Sequence, residues 1–436
     1  MKIVIGVHHL PPHYQGGAEK IALLTAKALS QRGHEIMLIA VERVDYQGAT
    51  QIYWEDEILN GIQTRRLYFN GTYSFAPNPF EYNNPLIRSA MENTFDEFMP
   101  DLFYLIGGYL LSGSVIEAAA EKKIPVIVKL TDLWYLCPRI TMLRTDGEIS
   151  TLPIDPRRCA RCIGEEKRRY RIPGQLAPVL MDFYWGFQKT KINYITNRQK
   201  FLHDVMEKVR IFISESNFLR DMYIMGGMTP EKIIQSRQGI DFASWLEPAD
   251  LIKIPSSQLR VAYFGQLANH KGIHILIKAV KKIQSQKVSL WIYGDDSAFP
   301  KYSTKLRKLA GEDERINFCK PYRTATEQSK LLREIDVVVV PSIWYENSPN
   351  VVLEVHGNHT PVIASNFAGL PEMIIEGENG LLFERGNVDD LASKIVLLLE
   401  NPELLAKLTE KSGENVRTID DEMDMLEQTF AEHCGK

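Results

Sequence analysis

The densest set of residues able to do chemistry is Pro341-Ser342-Ile343-Trp344-Tyr345-Glu346-Asn347-Ser348-Pro349-Asn350-Val351-Val352-Leu353-Glu354. It follows the wholly apolar run Val337–Val340, so it leaves the carboxyl end of a buried strand. Ser348 suits the N-cap of a helix and Pro349 its first position, where a missing N–H costs nothing. The amides of Asn350, Val351 and Val352 then present the positive end of a helix dipole to an anion, an arrangement suited to a diphosphate. Glu346 precedes this helix and Glu354 lies about a turn and a half inside it. Carboxylates so placed reach hydroxyls at different points along one extended ligand. The plainer alternative is a solvent-facing Glu346 ahead of a capped core helix.

Two further turns join strands to helices. In Gly16-Gly17-Ala18-Glu19-Lys20 the glycines let a bound group approach the backbone at a helix start, but the dinucleotide spacing Gly-x-Gly-x-x-Gly is absent. In Gly265-Gln266-Leu267-Ala268-Asn269-His270-Lys271-Gly272, Lys271 supplies a point charge for a phosphate. One such turn alone is an ordinary connector; three around one site weigh toward phosphate binding. Asp295-Asp296 is the one tempting magnesium pair, but adjacent aspartates in a loop diverge, so a polar turn is the simpler reading and no metal is expected. Cys159-Ala160-Arg161-Cys162 has zinc-ligand spacing, yet with Cys137 it makes only three thiols, and reduced structural cysteines are expected. Lys167-Arg168-Arg169-Tyr170-Arg171, continuing through Phe183-Tyr184-Trp185 and Lys189–Lys200, suits an anionic membrane surface or an acidic glycan, or else is the solvated face of an insertion.

The elements that must position these residues alternate as in parallel sheets covered by helices. Strands are expected at Lys2–Val7, Glu35–Ala40, Leu102–Leu105, Pro125–Lys129 and Arg210–Ile213. The stretch of about Pro138–Lys208, ahead of the last of these, breaks the alternation and is read as an insertion; the alternation restarts with strands at Leu259–Phe264, Ser289–Tyr293, Ile316–Phe318, Val337–Val340 and Pro361–Ala364. The polar, proline-bearing stretch around 247–257 divides an N-terminal domain (1–245) from a C-terminal one (246–415). The fold class is α/β, two doubly wound Rossmann-like domains facing a central cleft. The 436 residues suffice for this, and a net charge of −4 argues against nucleic acid as a partner. No apolar run approaches a membrane span, Met1–Ile5 opens a strand rather than a signal peptide, and five cysteines suit a reducing compartment. The expected location is cytoplasmic, with room for peripheral contact at the inner face of a membrane.

The chain resembles the retaining glycosyltransferases of family 4, which have the two-domain GT-B fold. The resemblance spans nearly the whole chain and is close over Arg32-Gly33-His34-Glu35, Phe218-Leu219-Arg220, Gly239-Ile240-Asp241 and 259–402. Ala364-Ser365-Asn366, Gly369-Leu370-Pro371-Glu372 and Gly377–Phe383 look like the family's donor-side loops. The resemblance implies a nucleotide-diphosphate-sugar as donor substrate, no cofactor, and a glycan, lipid-linked or small-molecule hydroxyl acceptor. Glu354 would bind the nucleotide ribose, Glu346 would contact sugar hydroxyls, and Lys271 with the 350–352 backbone would hold the diphosphate. Gly17 would lie near the diphosphate or the acceptor, and residues 416–436 would return as a helix to the N-terminal domain. Two positions depart from the family pattern. Gln266 stands where an arginine usually accompanies the lysine, and Thr131 stands where many members have a histidine before the aspartate, here Asp132. His9 and His13 are candidates to replace that imidazole on the acceptor side. A nucleotide-sugar epimerase of the same architecture and a non-catalytic glycan- or partner-binding homologue are the alternative readings.

Overall fold

The computed structural model describes residues 1–12, 14, 16–44, 52–70, 76–242, 252–414 and 416–434. The chain divides into two compact units, Met1–Arg237 with Asp420–Lys436, and Gln238–Ile419. The division falls at Arg237, ahead of the proline-bearing stretch, because residues after it pair with the chain on its way out of the second unit. Ile240 donates to the Arg417 carbonyl and accepts from the Ile419 amide, at 3.0 and 2.9 Å.

The first unit is built on an eight-stranded sheet among the described residues. Its strands are β1 (Lys2–Val7), β2 (Glu35–Val44), β3 (Tyr53–Leu59), β4 (Ile62–Asn70), β5 (Leu102–Ile106), β6 (Val126–Leu130), β7 (Ile211–Ser214) and β8 (Ile233–Gln235). They lie in the order β3-β4-β2-β1-β5-β6-β7-β8. Strands sheathed on both faces need unbroken apolar runs, and β5, β6 and β7 are buried throughout. The antiparallel hairpin β3–β4 was not expected from the apolar pattern. Its inner strand instead buries Arg65 and Arg66, whose guanidiniums reach Asp56 and Glu57 across the hairpin, each at 2.7 Å.

Between β6 and β7 the insertion forms four helices, Pro156–Gly164, Arg168–Leu176, Pro178–Gly186 and Lys189–Met206. The last is anchored by Arg198, which is buried and donates to both oxygens of Glu81 at 2.9 and 3.1 Å. Trp134 Nε1 and Tyr194 Oη complete the coordination of that carboxylate at 2.6 and 2.9 Å. The final helix, Ile419–Cys434, packs into the first unit through Met423, Leu426 and Phe430. It also delivers Glu422 to Lys129 of β6 at 2.6 Å, with Glu215 on the same ammonium at 3.1 Å. Burial alone would depress the Lys129 pKa, but the two carboxylates reverse this and hold the ammonium charged.

The second unit carries a six-stranded parallel sheet. Its strands are β9 (Leu259–Phe264), β10 (Val288–Tyr293), β11 (Ile316–Cys319), β12 (Val337–Val340), β13 (Val362–Ser365) and β14 (Gly380–Phe383). The order β11-β10-β9-β12-β13-β14 is that of a doubly wound nucleotide-binding sheet. One core layer gathers Ile273, Leu276, Val280, Leu391 and Ile395 on one face; the other gathers Val352, Val355, Leu370 and Ile374. The winding reverses between β9 and β12, so the loops that follow them leave the carboxyl ends of neighbouring strands. No helix among the described residues is long and apolar enough to cross a membrane.

The Lys129 triad yields a stability prediction. Lys129→Met leaves two buried carboxylates without their cation and should cost about 3–5 kcal/mol. Adding Glu215→Gln and Glu422→Gln should recover much of that loss, as read from urea midpoints. Equal midpoints for the parent and Lys129→Met would show that the triad contributes nothing.

Candidate functional site

In the second unit, β9 and β12 are hydrogen-bonded neighbours, with Val261 beside Val337 and Ala262 beside Val338. The two loops singled out from sequence therefore start side by side. Gly272 ends the β9 loop with φ 74°, and a Cβ there would stand 1.8 Å from the Pro341 carbonyl oxygen. Only glycine lets these loops close on each other. The Ile343 amide then donates to the His270 carbonyl at 2.9 Å.

This closure brings Lys271 and Glu346 together: Nζ donates to Oε1 at 2.7 Å, and Ser342 Oγ donates to the same oxygen at 2.7 Å. Glu346 is buried, not solvent-facing. Burial pushes its carboxyl up, but the Lys271 charge and the bonds from Lys271 and Ser342 outweigh that and leave it below the usual value. Lys271 Nζ also sits 5.0 Å from the centroid of the Trp344 ring, and the Trp344 side chain is a further influence that lowers the Glu346 carboxyl. From the other side Gly369 donates its N–H to the Glu346 carbonyl at 2.9 Å. A Cβ on Gly369 would stand 1.8 Å from the Asn347 carbonyl oxygen. Neither Ser342 nor Gly369 carries a periodic signal that marks it in the sequence.

The helix after β12 spans Asn350–Gly357 with Pro349, not Ser348, as its N-cap. The Val352 amide donates to the Pro349 carbonyl at 2.9 Å, which corrects the expectation that it faces an anion. Asn350 and Val351 remain the first two helical residues, where amides have no intrahelical acceptor. Further along, Glu354 Oε2 accepts from Tyr322 Oη at 3.2 Å and from Gln328 Nε2 at 3.0 Å, so two neighbours fix its direction. Gln266 is exposed in the β9 loop, its carbonyl held by Tyr263 Oη at 2.8 Å.

In the first unit, β1 and β5 are neighbours in the same manner. The β1 loop leads to the helix Gly17–Gln31, so Gly17 is its first residue. His9 is not available to a ligand as expected: it is buried, its Nδ1 lies 2.7 Å from the Val41 carbonyl, and its ring stacks on Tyr14 at 3.6 Å. His13 lies outside the described residues. The residue beside it in the pattern, His8, pairs instead with Glu19 at 3.3 Å through Nε2, while its Nδ1 is buried without a partner among the described residues. Burial raises the Glu19 carboxyl, and His8 brings it net below the usual value. Asp132 caps its own turn, accepting from the Trp134 amide at 2.7 Å and from Thr131 Oγ1 at 3.2 Å. There burial prevails and the carboxyl is pushed up, with the His8 charge among the opposing influences. His8 is thus paired with Glu19 and also bears electrostatically on Asp132.

Asp295 and Asp296 diverge, the first accepting from Ser297 and the second accepting from Ser303 and ion-paired with Arg307. No group of His, Cys, Asp and Glu able to hold a metal occurs among the described residues. Cys137, Cys159 and Cys162 are free thiols, and burial, with the other two sulfurs nearby, pushes Cys159 up to about 12.

The Glu346 pair makes stability depend on pH. Its carboxyl is depressed in the folded state, so the pair's contribution is fully present above about 4.5 and fades as pH falls through the lower folded value. Lys271→Met should therefore be most destabilising at neutral pH and progressively less so below pH ~4.5. A midpoint difference constant from pH 7 to pH 3.5 would contradict this assignment.

Residues 258–401 match the family described as Glycosyl transferases group 1. D-inositol 3-phosphate glycosyltransferase of Corynebacterium glutamicum is 33% identical over 38% of this chain and 41% of its own. The putative colanic acid biosynthesis glycosyltransferase WcaL of Salmonella typhimurium is 26% identical over 39% and 42%. The chain thus spans less than half the length of these relatives. Sucrose-phosphate synthase of Thermosynechococcus elongatus superposes with TM-score 0.70 at 17% identity, covering 99% of both chains. HepE of Anabaena, crystallised with UDP and glucose, superposes with TM-score 0.67 at 17% identity over 99% of this chain and 100% of that one. The two units have the GT-B fold, and residues 258–401 of the second, with Lys271 and Glu346 on its neighbouring loops, match the group 1 glycosyl transferase family.

Proposed function

We propose that the chain transfers a sugar from a nucleoside-diphosphate-sugar to a hydroxyl acceptor with retention at the anomeric carbon, as a family 4 enzyme. The observation that carries this reading is the Lys271–Glu346 pair on the adjoining β9 and β12 loops, just ahead of a helix start and of Glu354. In the reaction the bond from the anomeric carbon to the diphosphate oxygen breaks, a bond to the acceptor oxygen forms, and the acceptor proton passes to the departing diphosphate. Lys271 and the amides of Asn350 and Val351 stabilise charge growing on the leaving diphosphate. Glu346 orients sugar hydroxyls, and Glu354, steered by Tyr322 and Gln328, binds the ribose. Gln266 lines the same loop but adds no charge, so the lysine and the helix start carry the diphosphate. The first unit takes the acceptor, a glycan, lipid-linked or small hydroxyl compound. Gly17 lies on that side, and His8 with Glu19 and Asp132 takes the place expected for His9. No divalent cation takes part. The names of the curated relatives favour transfer over epimerisation.

Acceptor-dependent release of a nucleoside diphosphate from a panel of nucleotide sugars tests the proposal as a whole. Release that needs no acceptor and yields an epimerised donor would replace it with the isomerase reading. Exhaustive EDTA treatment should leave transfer intact, and activity restored only by magnesium or manganese would overturn the lysine-and-helix mechanism.

Single substitutions separate the roles. Glu354→Ala should weaken nucleoside diphosphate binding by roughly 1.5–3 kcal/mol, the scale of a hydrogen bond to a charged group. Glu346→Gln should lower kcat far more than it lowers affinity for the free nucleoside diphosphate. A folded Glu354→Ala protein of unchanged affinity removes the ribose assignment, and equal losses in both quantities remove that of Glu346.

A further inference from the structure

The insertion presents an apolar surface that the donor and acceptor chemistry does not use. On consecutive helices Leu176 is 80% exposed, Val179 79%, Leu180 71%, Phe183 70% and Phe187 65%. Exposed leucines and phenylalanines occur singly on most surfaces; a cluster of this kind marks an interaction site. Residues 179, 180, 183 and 187 recur at helical spacing, so they share one face of Pro178–Gly186 and its continuation. The rings of Phe183 and Phe187 lie 4.8 Å apart.

The opposite face of that helix is what holds it to the protein. Trp185 is buried against Gly164, where a Cβ would stand 1.8 Å from the ring. Tyr170 packs on Trp185 with ring centroids 5.3 Å apart, and Lys191 Nζ lies 4.4 Å from the centroid of the Trp185 ring. The outward set therefore projects from an anchored helix. The polar frame around it is strongly basic: besides the buried Arg198, residues 167–200 hold seven lysines and arginines against one acid, Asp182, in a chain whose net charge is −4. That acid is occupied by Arg161 at 2.6 Å. Lys167, Arg168 and Arg169 are exposed.

An apolar stripe bordered by cations matches the two layers of an anionic bilayer surface, acyl boundary and headgroups. We propose that the helical pair Arg168–Leu176 and Pro178–Gly186 docks the protein on an anionic lipid surface. Leu176, Val179, Leu180, Phe183 and Phe187 enter the acyl boundary, and the 167–171 cations meet the headgroups. A protein partner or a second copy would cover the apolar face but does not call for the unpaired positive charge. An acidic glycan would engage the charge but leave the phenylalanines in water.

The test is co-sedimentation with vesicles of 3:1 phosphatidylcholine and phosphatidylglycerol, compared with phosphatidylcholine alone. The parent should bind the anionic vesicles and far less of it the neutral ones. Two variants divide the contributions, Leu180→Ser/Phe183→Ser/Phe187→Ser and Lys167→Gln/Arg168→Gln/Arg169→Gln/Arg171→Gln. Each should weaken partitioning by more than about tenfold. All these apolar side chains are exposed, so unchanged melting temperatures confirm that the variants are folded. The readout needs no turnover, so it stands or falls independently of the transferase reading. Absence of binding by the parent, or binding that ignores both variants, overturns the proposal. So does concentration-dependent self-association abolished by the serine variant without vesicle binding, or capture by a soluble acidic polysaccharide that is indifferent to the phenylalanines.

Discussion

A buried carboxylate that must keep its charge sets the geometry of the second unit. Glu346 is nearly out of contact with solvent, and an unpaired charge there would cost several kcal/mol. The cation that satisfies it arrives from another loop, so Lys271 can do so only if the β9 and β12 connections are pressed together. Gly272 against the Pro341 carbonyl and Gly369 against the Asn347 carbonyl are the contacts that permit this. The pairing of β9 with β12 at the point where the winding reverses brings the loops to the same place at all. Sheet order, glycine positions and site electrostatics thus answer to one constraint.

The first unit solves its own problem in the same terms. Its sheet is apolar where helices cover it, and its buried charges come in sets with every member engaged. Glu81 holds Arg198, Tyr194 and Trp134, while Lys129 holds Glu215 and Glu422. Each set joins segments far apart in sequence. Apolar packing tolerates many arrangements, whereas a buried ion set tolerates few, so these sets fix how the insertion and the last helix attach.

Much of the fold was legible because parallel strands announce themselves as short apolar runs, and ten of the observed strands coincide with such runs. The hairpin β3–β4 was hidden because its register pairs acids with arginines instead of alternating apolar with polar residues. Its turn, Asn60-Gly61 with φ 50° and 84°, was nevertheless a readable signal. Lys271, Glu346 and Glu354 could be named from types and spacing, but their mutual contacts could not, since those depend on which strands are neighbours. The choice between adjacent His8 and His9 illustrates the limit. Only the packed structure shows His9 bonded to the Val41 carbonyl and His8 to Glu19. The Val352 amide was misjudged because Pro349, as the cap, offers it a carbonyl instead of a side chain.

The attachment of the last helix also sets an order of events during synthesis. The first unit is discontinuous: its residues up to Arg237 are separated from Asp420 onward by the whole of the second unit. A ribosome therefore releases a complete second unit while the first still lacks Met423, Leu426 and Phe430 from its core and Glu422 from its buried triad. Until those residues emerge, Tyr104 and Lys129 on the central strands have an open apolar trough where the helix will lie. The part of the chain made second is thus the first able to finish folding, and the nascent first unit is the part most in need of protection from aggregation.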